Sequence, residues 1–279
     1  MLRQQVLART RTCGVALARP TTRHVCNPLA PSSCPRSSSS APEQLRCCST
    51  AAGTTPTASV APEAAAAAAS SPSLQELLST GARLTTAAQA VWAQVLLPGD
   101  TAVDATCGNG HDTLFMAQVV GPSGHVHGFD IQDAAIVATR ERLESHLSAG
   151  GRLPALSLHR ACHSRLQELC GSGVARVVAF NLGYLPGAAD KRLITTTQST
   201  LAAVEAALEV VMPGGVISIL AYVGHPGGQE EYDAVRQLVS ELSPSYWVSS
   251  ETRLLNRPTA PILILLWRRD ARVADNSRR

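Results

Sequence analysis

The residues Thr101-Ala-Val-Asp104-Ala-Thr106-Cys107-Gly108-Asn109-Gly110-His111-Asp112-Thr113 lead from a β-prone run into a Gly-x-Gly turn and on into a helix pattern. Further on, Gly124-His-Val-His-Gly-Phe129-Asp130-Ile131-Gln132 closes a second short strand on an acid. A strand–loop–helix–strand unit with an acid about twenty residues after the glycines suits an adenosine-containing ligand, the acid gripping a ribose hydroxyl. The glycines let backbone approach that ligand, and the helix start offers N–H groups without intrahelical partners.

What the loop lacks narrows the ligand. A dinucleotide fingerprint has a third Gly where His111-Asp112-Thr113 stands. Asp112, in the first helical turn, suits a capping role and repels a pyrophosphate. Asp104 ends the first strand, where it could hold a cationic ligand group. S-adenosylmethionine carries an amino group and a sulfonium and no phosphate, so it fits. The pattern is similar to the Asp-x-Gly-x-Gly-x-Gly motif of class I methyltransferases, with Thr106 in place of the first Gly. The expected cofactor contacts are Asp104, Thr106, Gly108, Asn109, Gly110, Asp112, Thr113, Asp130, Ile131, Gln132, His163 and Asn181. Cys107 reads as a packing residue rather than a nucleophile.

A second group lies at Phe180-Asn181-Leu-Gly183-Tyr184-Leu-Pro186-Gly187, followed by Asp190-Lys191. An Asn at a strand end, then a Gly and an aromatic, is placed to hold a planar target. It resembles the Asn-Pro-Pro-Tyr element of amino-group methyltransferases. That likeness implies an Asn amide oxygen accepting from a target nitrogen and an aromatic stacked on a base. Asn181 and Tyr184 are the expected acceptor-side catalytic residues, with Asp190 as a proton acceptor if it reaches the pocket. Tyr184, Pro186, Tyr222, His225 and Asn256 are the expected substrate contacts. His225 lies in a Gly-rich loop, Tyr222-Val-Gly224-His-Pro-Gly227-Gly228, whose following acids Glu230 and Glu231 suit a helix N-terminus.

The elements that must position these residues alternate. Ser73-Leu-Gln-Glu76 reads as a capping box opening a helix, and a second helix covers about 85–96. Strands are expected at 101–106, 125–131, 155–159, 175–182 and 216–223, with helices at 112–120, 133–148, 164–171, 194–211 and 228–242. Pro213-Gly214-Gly215 is expected to turn the chain into the fifth strand. Segments 246–254 and 261–268 have no helix between them and read as an antiparallel hairpin. The pattern predicts an α/β doubly wound, mostly parallel seven-stranded sheet, a Rossmann-like class I methyltransferase outline with a C-terminal antiparallel hairpin.

Composition divides the chain. Residues 1–71 hold seven of the 24 basic residues and two of the 21 acids, leaving 17 and 19 after position 71. The basic excess therefore belongs to the leader, and net charge does not by itself imply a nucleic-acid partner. The leader is rich in Arg, Ser and Ala, nearly free of acids and lacks a continuous apolar run, the composition of an organellar transit peptide rather than a secretory signal. The expected division is a disordered transit peptide and linker at 1–71 and a methyltransferase domain at 72–279. Three cysteines in the domain, none in a Cys-x-x-Cys pair, give no reason to expect a disulfide framework or a metal site. No apolar run suggests a membrane span.

Taken together, Asp-Ala-Thr-x-Gly-Asn-Gly-His-Asp-Thr, Asn-Leu-Gly-Tyr-Leu-Pro-Gly and Tyr-x-Gly-His-x-Gly-Gly resemble the rRNA methylase family over about 73–268. Bacterial and plant members methylate 5-aminomethyl-2-thiouridine at the tRNA wobble position. The resemblance implies an S-adenosylmethionine-dependent N-methyltransferase, tRNA as partner through its anticodon region, and a chloroplast location, with mitochondrion the alternative. Family sequences carry an extra Gly before Asp-Lys, where this chain has Gly187-Ala-Ala-Asp190-Lys191. Methylation of rRNA or of a small-molecule amine, and a non-catalytic RNA-binding factor on the same fold, stay open. So does the oligomeric state, a homodimer included.

Overall fold

The computed structural model describes residues 74–183 and 196–270. The strands are β1 (Thr101–Asp104), β2 (His125–Asp130), β3 (Ala155–Arg160), β4 (Ala175–Leu182), β5 (Val211–Ala221), β6 (Trp247–Thr252) and β7 (Ile262–Arg268). They form one seven-stranded sheet in the order β3-β2-β1-β4-β5-β7-β6. β1 to β5 run parallel, and β7 is antiparallel to both β5 and β6. The expected terminal hairpin is present, folded back so that its second strand lies inside and its first forms the edge. The helices are α1 (Leu74–Ser79), α2 (Leu84–Val95), α3 (His111–Val120), α4 (Asp133–Ser148), α5 (Leu166–Cys170), α6 (Thr197–Val210) and α7 (Gly228–Ser240), with a 3-10 turn at His163–Arg165 before α5.

Strand β4 shows why this sequence makes a buried parallel strand. It is apolar along most of its length, as a strand covered on both faces must be. Its side chains alternate between the faces. Val178, Phe180 and Leu182 pack in the core formed with α6 and α7. Val177 and Ala179 pack in the core formed with α2 and α3, through Ala88, Trp92, Met116 and Ala117. The same alternation puts Asn181 on the α2–α3 face, just beyond the end of that apolar layer.

Three expectations change at the boundaries. β5 starts at Val211, before Pro213-Gly214-Gly215 rather than after it: Val211 pairs with Ala175, and the register slips before Val216 pairs with Val177. A bulge accommodates the Pro and glycines that a regular ladder would exclude. Helix α6 begins with a Thr196–Ser199 capping box, in which Thr196 Oγ1 accepts from the Ser199 N–H at 3.3 Å. Glu231 does not cap α7. It is buried, and accepts from Thr200 Oγ1 at 2.5 Å, which ties α7 to α6; the N-cap itself is Gly227 in a left-handed conformation. Ser73 of the expected capping box lies outside the described residues.

Candidate functional site

In doubly wound sheets, ligands bind beyond the carboxyl ends of the strands where the strand order reverses. Here that point lies between β1 and β4. A cavity of about 700 Å³ opens there, within the size range of small-ligand pockets. The loops after β1, β2, β3, β4 and β5 all contribute to its wall, as do the starts of α2 and α6.

The glycine loop forms one side. Thr106, Gly108, Asn109 and Asp112 line the cavity, joined from the end of β2 by Asp130, Ile131 and Gln132. Asp130 Oδ2 accepts from the Gly108 N–H at 3.1 Å, and Oδ1 from the Gln132 N–H at 2.9 Å. These bonds close the loop onto the strand end and leave further lone pairs on each carboxylate oxygen. Burial raises the Asp130 carboxyl above the usual carboxylate range, against hydrogen bonds that lower it. The far side of the loop is held by α4: Thr139 Oγ1 donates to the Gly108 carbonyl at 3.1 Å and Arg142 Nε to the Asn109 carbonyl at 2.6 Å.

Gly110, Asp104 and Thr113 do not line the cavity. Gly110 sits behind it as the left-handed N-cap of α3 (φ +75°), so close to α4 that a Cβ would lie 2.7 Å from Thr139 Cα. It therefore fills the packing role that the third Gly of a dinucleotide fingerprint plays. Asp104 was expected to face a cationic ligand group. Instead it is fully buried beneath the loop, accepting from Thr113 Oγ1 at 2.6 Å and the Thr106 N–H at 3.2 Å. Burial, and then the nearby Asp112 charge, push its carboxyl up to about 7.

Asp112 departs most from its sequence reading. The N-cap of α3 is Gly110, and Asp112, in the first turn, meets side chains of other elements. Its carboxylate accepts from Gln89 Nε2 of α2 at 2.7 Å and from Asn181 Nδ2 of β4 at 2.8 Å. The Asn181 backbone N–H donates to Thr106 Oγ1 at 2.7 Å. The register of β1 and β4 brings Thr106 and Asn181 together, since Asp104 pairs with Ala179 and each of the two lies two residues further along the chain.

His163 lines the cavity from below, edge-on to Phe180 at 5.8 Å between ring centroids. Burial pushes its imidazole down to about 4, so it stays neutral at physiological pH. Tyr222 lines the opposite wall. His225 does not: its Nδ1 pairs with the Pro226 carbonyl at 3.0 Å, and its ring packs behind Gly183, whose Cβ would lie 3.4 Å from Nε2. Asn256 is exposed on the β6–β7 loop, away from the cavity. Tyr184, Pro186 and Asp190 lie outside the described residues. Sequence reasoning missed the wall formed by Arg83, Thr85, Thr86 and Gln89, and that formed by Thr196 and Ser199. The signal was a polar stripe, Thr85 and Gln89 one turn apart, on an otherwise Ala-rich helix.

The chain matches the family described as "Putative rRNA methylase" over residues 126–268. It is 42% identical over 194 residues to the tRNA (mnm(5)s(2)U34)-methyltransferase, chloroplastic, of Arabidopsis thaliana, across 67% of this chain and 70% of that protein. The chain belongs to this methylase family. A crystal structure described as a "putative rRNA-methylase", from Clostridium thermocellum, is 33% identical, with a TM-score of 0.62 over 67% of this chain and 97% of its own. A protein from Streptococcus mutans described as "a putative methyltransferase", solved in complex with SAH, is 32% identical, with a TM-score of 0.56 over 64% of this chain and 94% of its own. The family match starts within β2, so in this methylase the β1 strand and glycine loop precede the matched region.

Proposed function

We propose that this chain is an S-adenosylmethionine-dependent N-methyltransferase acting on an alkyl amine of a modified tRNA wobble uridine, converting 5-aminomethyl-2-thiouridine to its methylamino form. The carrying observation is the Asn181 amide at the rim shared by the glycine loop and β4. With its nitrogen bound to Asp112, its carbonyl is the end left to meet an incoming N–H donor.

The cavity fits the cofactor by the chemistry of its donors. Asp130 keeps lone pairs for ribose hydroxyls, and the loop N–H groups and Gln132 stand beside it. The apolar wall of Ala105, Ile131 and Leu182 suits an adenine ring. Asp130, Gly108, Ile131 and Gln132 are the residues that would hold S-adenosylmethionine, which supplies an electrophilic methyl group when bound.

The chain's own contribution on the acceptor side is orientation. A free alkyl amine has a pKa near 10.4, so only its minor neutral form is nucleophilic. A neutral carbonyl acceptor aligns that amine and favours its charged form less than a bare carboxylate would. Each Asp112 oxygen already takes an amide donor. Holding the amine in line is a large part of the rate in such a displacement.

The relative from Arabidopsis thaliana is described as chloroplastic. With the Arg-rich, acid-poor composition of residues 1–71, that supports a chloroplast transit peptide followed by the methyltransferase domain. Nucleoside mass spectrometry tests the reading: purified protein, S-adenosylmethionine and tRNA bearing the aminomethyl precursor should yield the methylaminomethyl nucleoside. Methylation of rRNA alone, or cofactor binding without transfer to any RNA, would overturn it. A reporter fused behind residues 1–71 should enter the chloroplast; a reporter left in the cytosol would count against the leader.

A further inference from the structure

Asn181 is fixed from two directions by residues of other elements. Its backbone N–H, beyond the last paired residue of β1, donates to Thr106 Oγ1 at 2.7 Å. Its side-chain nitrogen donates to Asp112 Oδ2 at 2.8 Å, and the other oxygen of Asp112 takes Gln89 Nε2 at 2.7 Å. A carboxylate can only accept, so it settles the amide's orientation: nitrogen toward Asp112, carbonyl oxygen away from it. Asp112 is nearly buried, and bonds donated to a carboxylate are the stronger kind.

These three residues share a feature that the cofactor does not explain. Thr106 stands where the loop's own pattern calls for glycine, and its hydroxyl is committed to β4. Asp112 stands where a pyrophosphate site would exclude it, and both its oxygens are committed to amides. Gln89 comes from α2, outside the strand–loop–helix–strand unit altogether.

We propose that Thr106, Asp112 and Gln89 are positioning residues for Asn181, setting its carbonyl oxygen toward the acceptor nitrogen, so that one loop serves the cofactor with its backbone and the acceptor with its side chains. This rests on the reading of the pocket as an amine methyltransferase site. It assigns Thr106 and Asp112, with Gln89, to turnover rather than to cofactor affinity.

The test uses the full chain, with Thr106→Val, which keeps the shape and removes the hydroxyl, and Thr106→Ser, which restores it. Asp112→Asn and Gln89→Met remove the charge and the outer amide. Hydrogen exchange followed by nitrogen-15 NMR should show the Asn181 amide exchanging up to about tenfold faster in Thr106→Val than in the wild type or Thr106→Ser. Turnover on aminomethyl tRNA should fall roughly tenfold to a thousandfold in Thr106→Val and Asp112→Asn, as for loss of a preorganised hydrogen bond, with S-adenosylmethionine affinity within about twofold. Gln89→Met should move the same way by a smaller factor, and it keeps the question answerable if Asp112→Asn fails to fold. Unchanged Asn181 exchange in Thr106→Val, loss of cofactor affinity in parallel with turnover, or a Thr106→Ser as poor as the Val variant would each overturn the proposal. If the wild type transfers no methyl group to that tRNA, the functional reading fails, and the exchange result alone decides whether the clamp exists.

Discussion

Asp104 and Thr113 share a 2.6 Å hydrogen bond in which neither side chain reaches solvent. The bond ties the end of β1 to the first turn of α3 and so sets the path of the glycine loop between them. It also holds an acid where burial disfavours its charge, its carboxyl standing at about 7 against an ordinary 3.8.

The sign of the resulting pH dependence follows from linkage. Between about 3.8 and about 7 the folded chain keeps a proton on Asp104 that the unfolded chain has released. This group's contribution to stability therefore falls as pH rises through that window. Asp104→Asn removes the titration while keeping an acceptor for Thr113. Urea unfolding should show the variant gaining on the wild type as pH increases across the window. Parallel stability curves for the two proteins would mean that Asp104 does not carry the proton.

His127 acts in the opposite sense. It lies between His125, whose ring centroid is 4.2 Å away and tilted by 31°, and His159, whose Nε2 is 3.2 Å from its Nδ1. Burial first, and then the two neighbouring imidazoles, push it down to about 4. The unfolded chain binds the extra proton between about 6.5 and about 4, so stability is lost as pH falls through that range. His127→Gln keeps a polar group without the titration, and its unfolding free energy should be less sensitive to acid than that of the wild type.

Gly110→Ala should destabilise the fold by about 2–4 kcal/mol, combining a left-handed backbone with a new methyl group against the α4 backbone. The predicted Cβ contact of 2.7 Å is with Thr139 Cα, which cannot rotate away. Denaturant midpoints would measure it. A near-neutral result would show that α4 can shift outward without loss.

Asp130→Ala should weaken S-adenosylmethionine binding by roughly 1.5–3 kcal/mol, the range for hydrogen bonds to a charged group. Part of that loss would come from the loop, since Asp130 also holds the Gly108 N–H. Calorimetry on the folded variant would decide, and unchanged affinity would remove Asp130 from the cofactor site.

The strand and helix order was readable because each element carries its own period, and Gly108 and Asp130 were readable as neighbours because one βα unit contains both. Asp112 was not readable. Its partners are 23 and 69 residues away in sequence; the packing of α2 on α3 brings Gln89 to it, and the adjacency of β1 and β4 brings Asn181. First-turn position suggested a cap because local spacing is all that sequence exposes there. Asp104 misled for a related reason: the end of β1 is recognisable, but which of its side chains turns under the loop depends on where the strand stops, at Asp104 rather than at residue 106. His225 and Asn256 were grouped with the pocket by their place after strand ends; neither lines the cavity, and His225 instead turns to the Pro226 carbonyl.

The place of β7 has a consequence for how the chain acquires its shape. Ile262–Arg268 fills the gap between β5 and β6, so the apolar edge of β5, from Val216 to Ala221, has no neighbour until almost the last described residue is available. Contacts of such long sequence range form late and slowly. A chain made, or threaded, N-terminus first therefore lacks β7 until residues 262–268 have emerged. It would complete the sheet in a single late step once that strand arrives, and until then it would expose an open strand edge that a chaperone could hold.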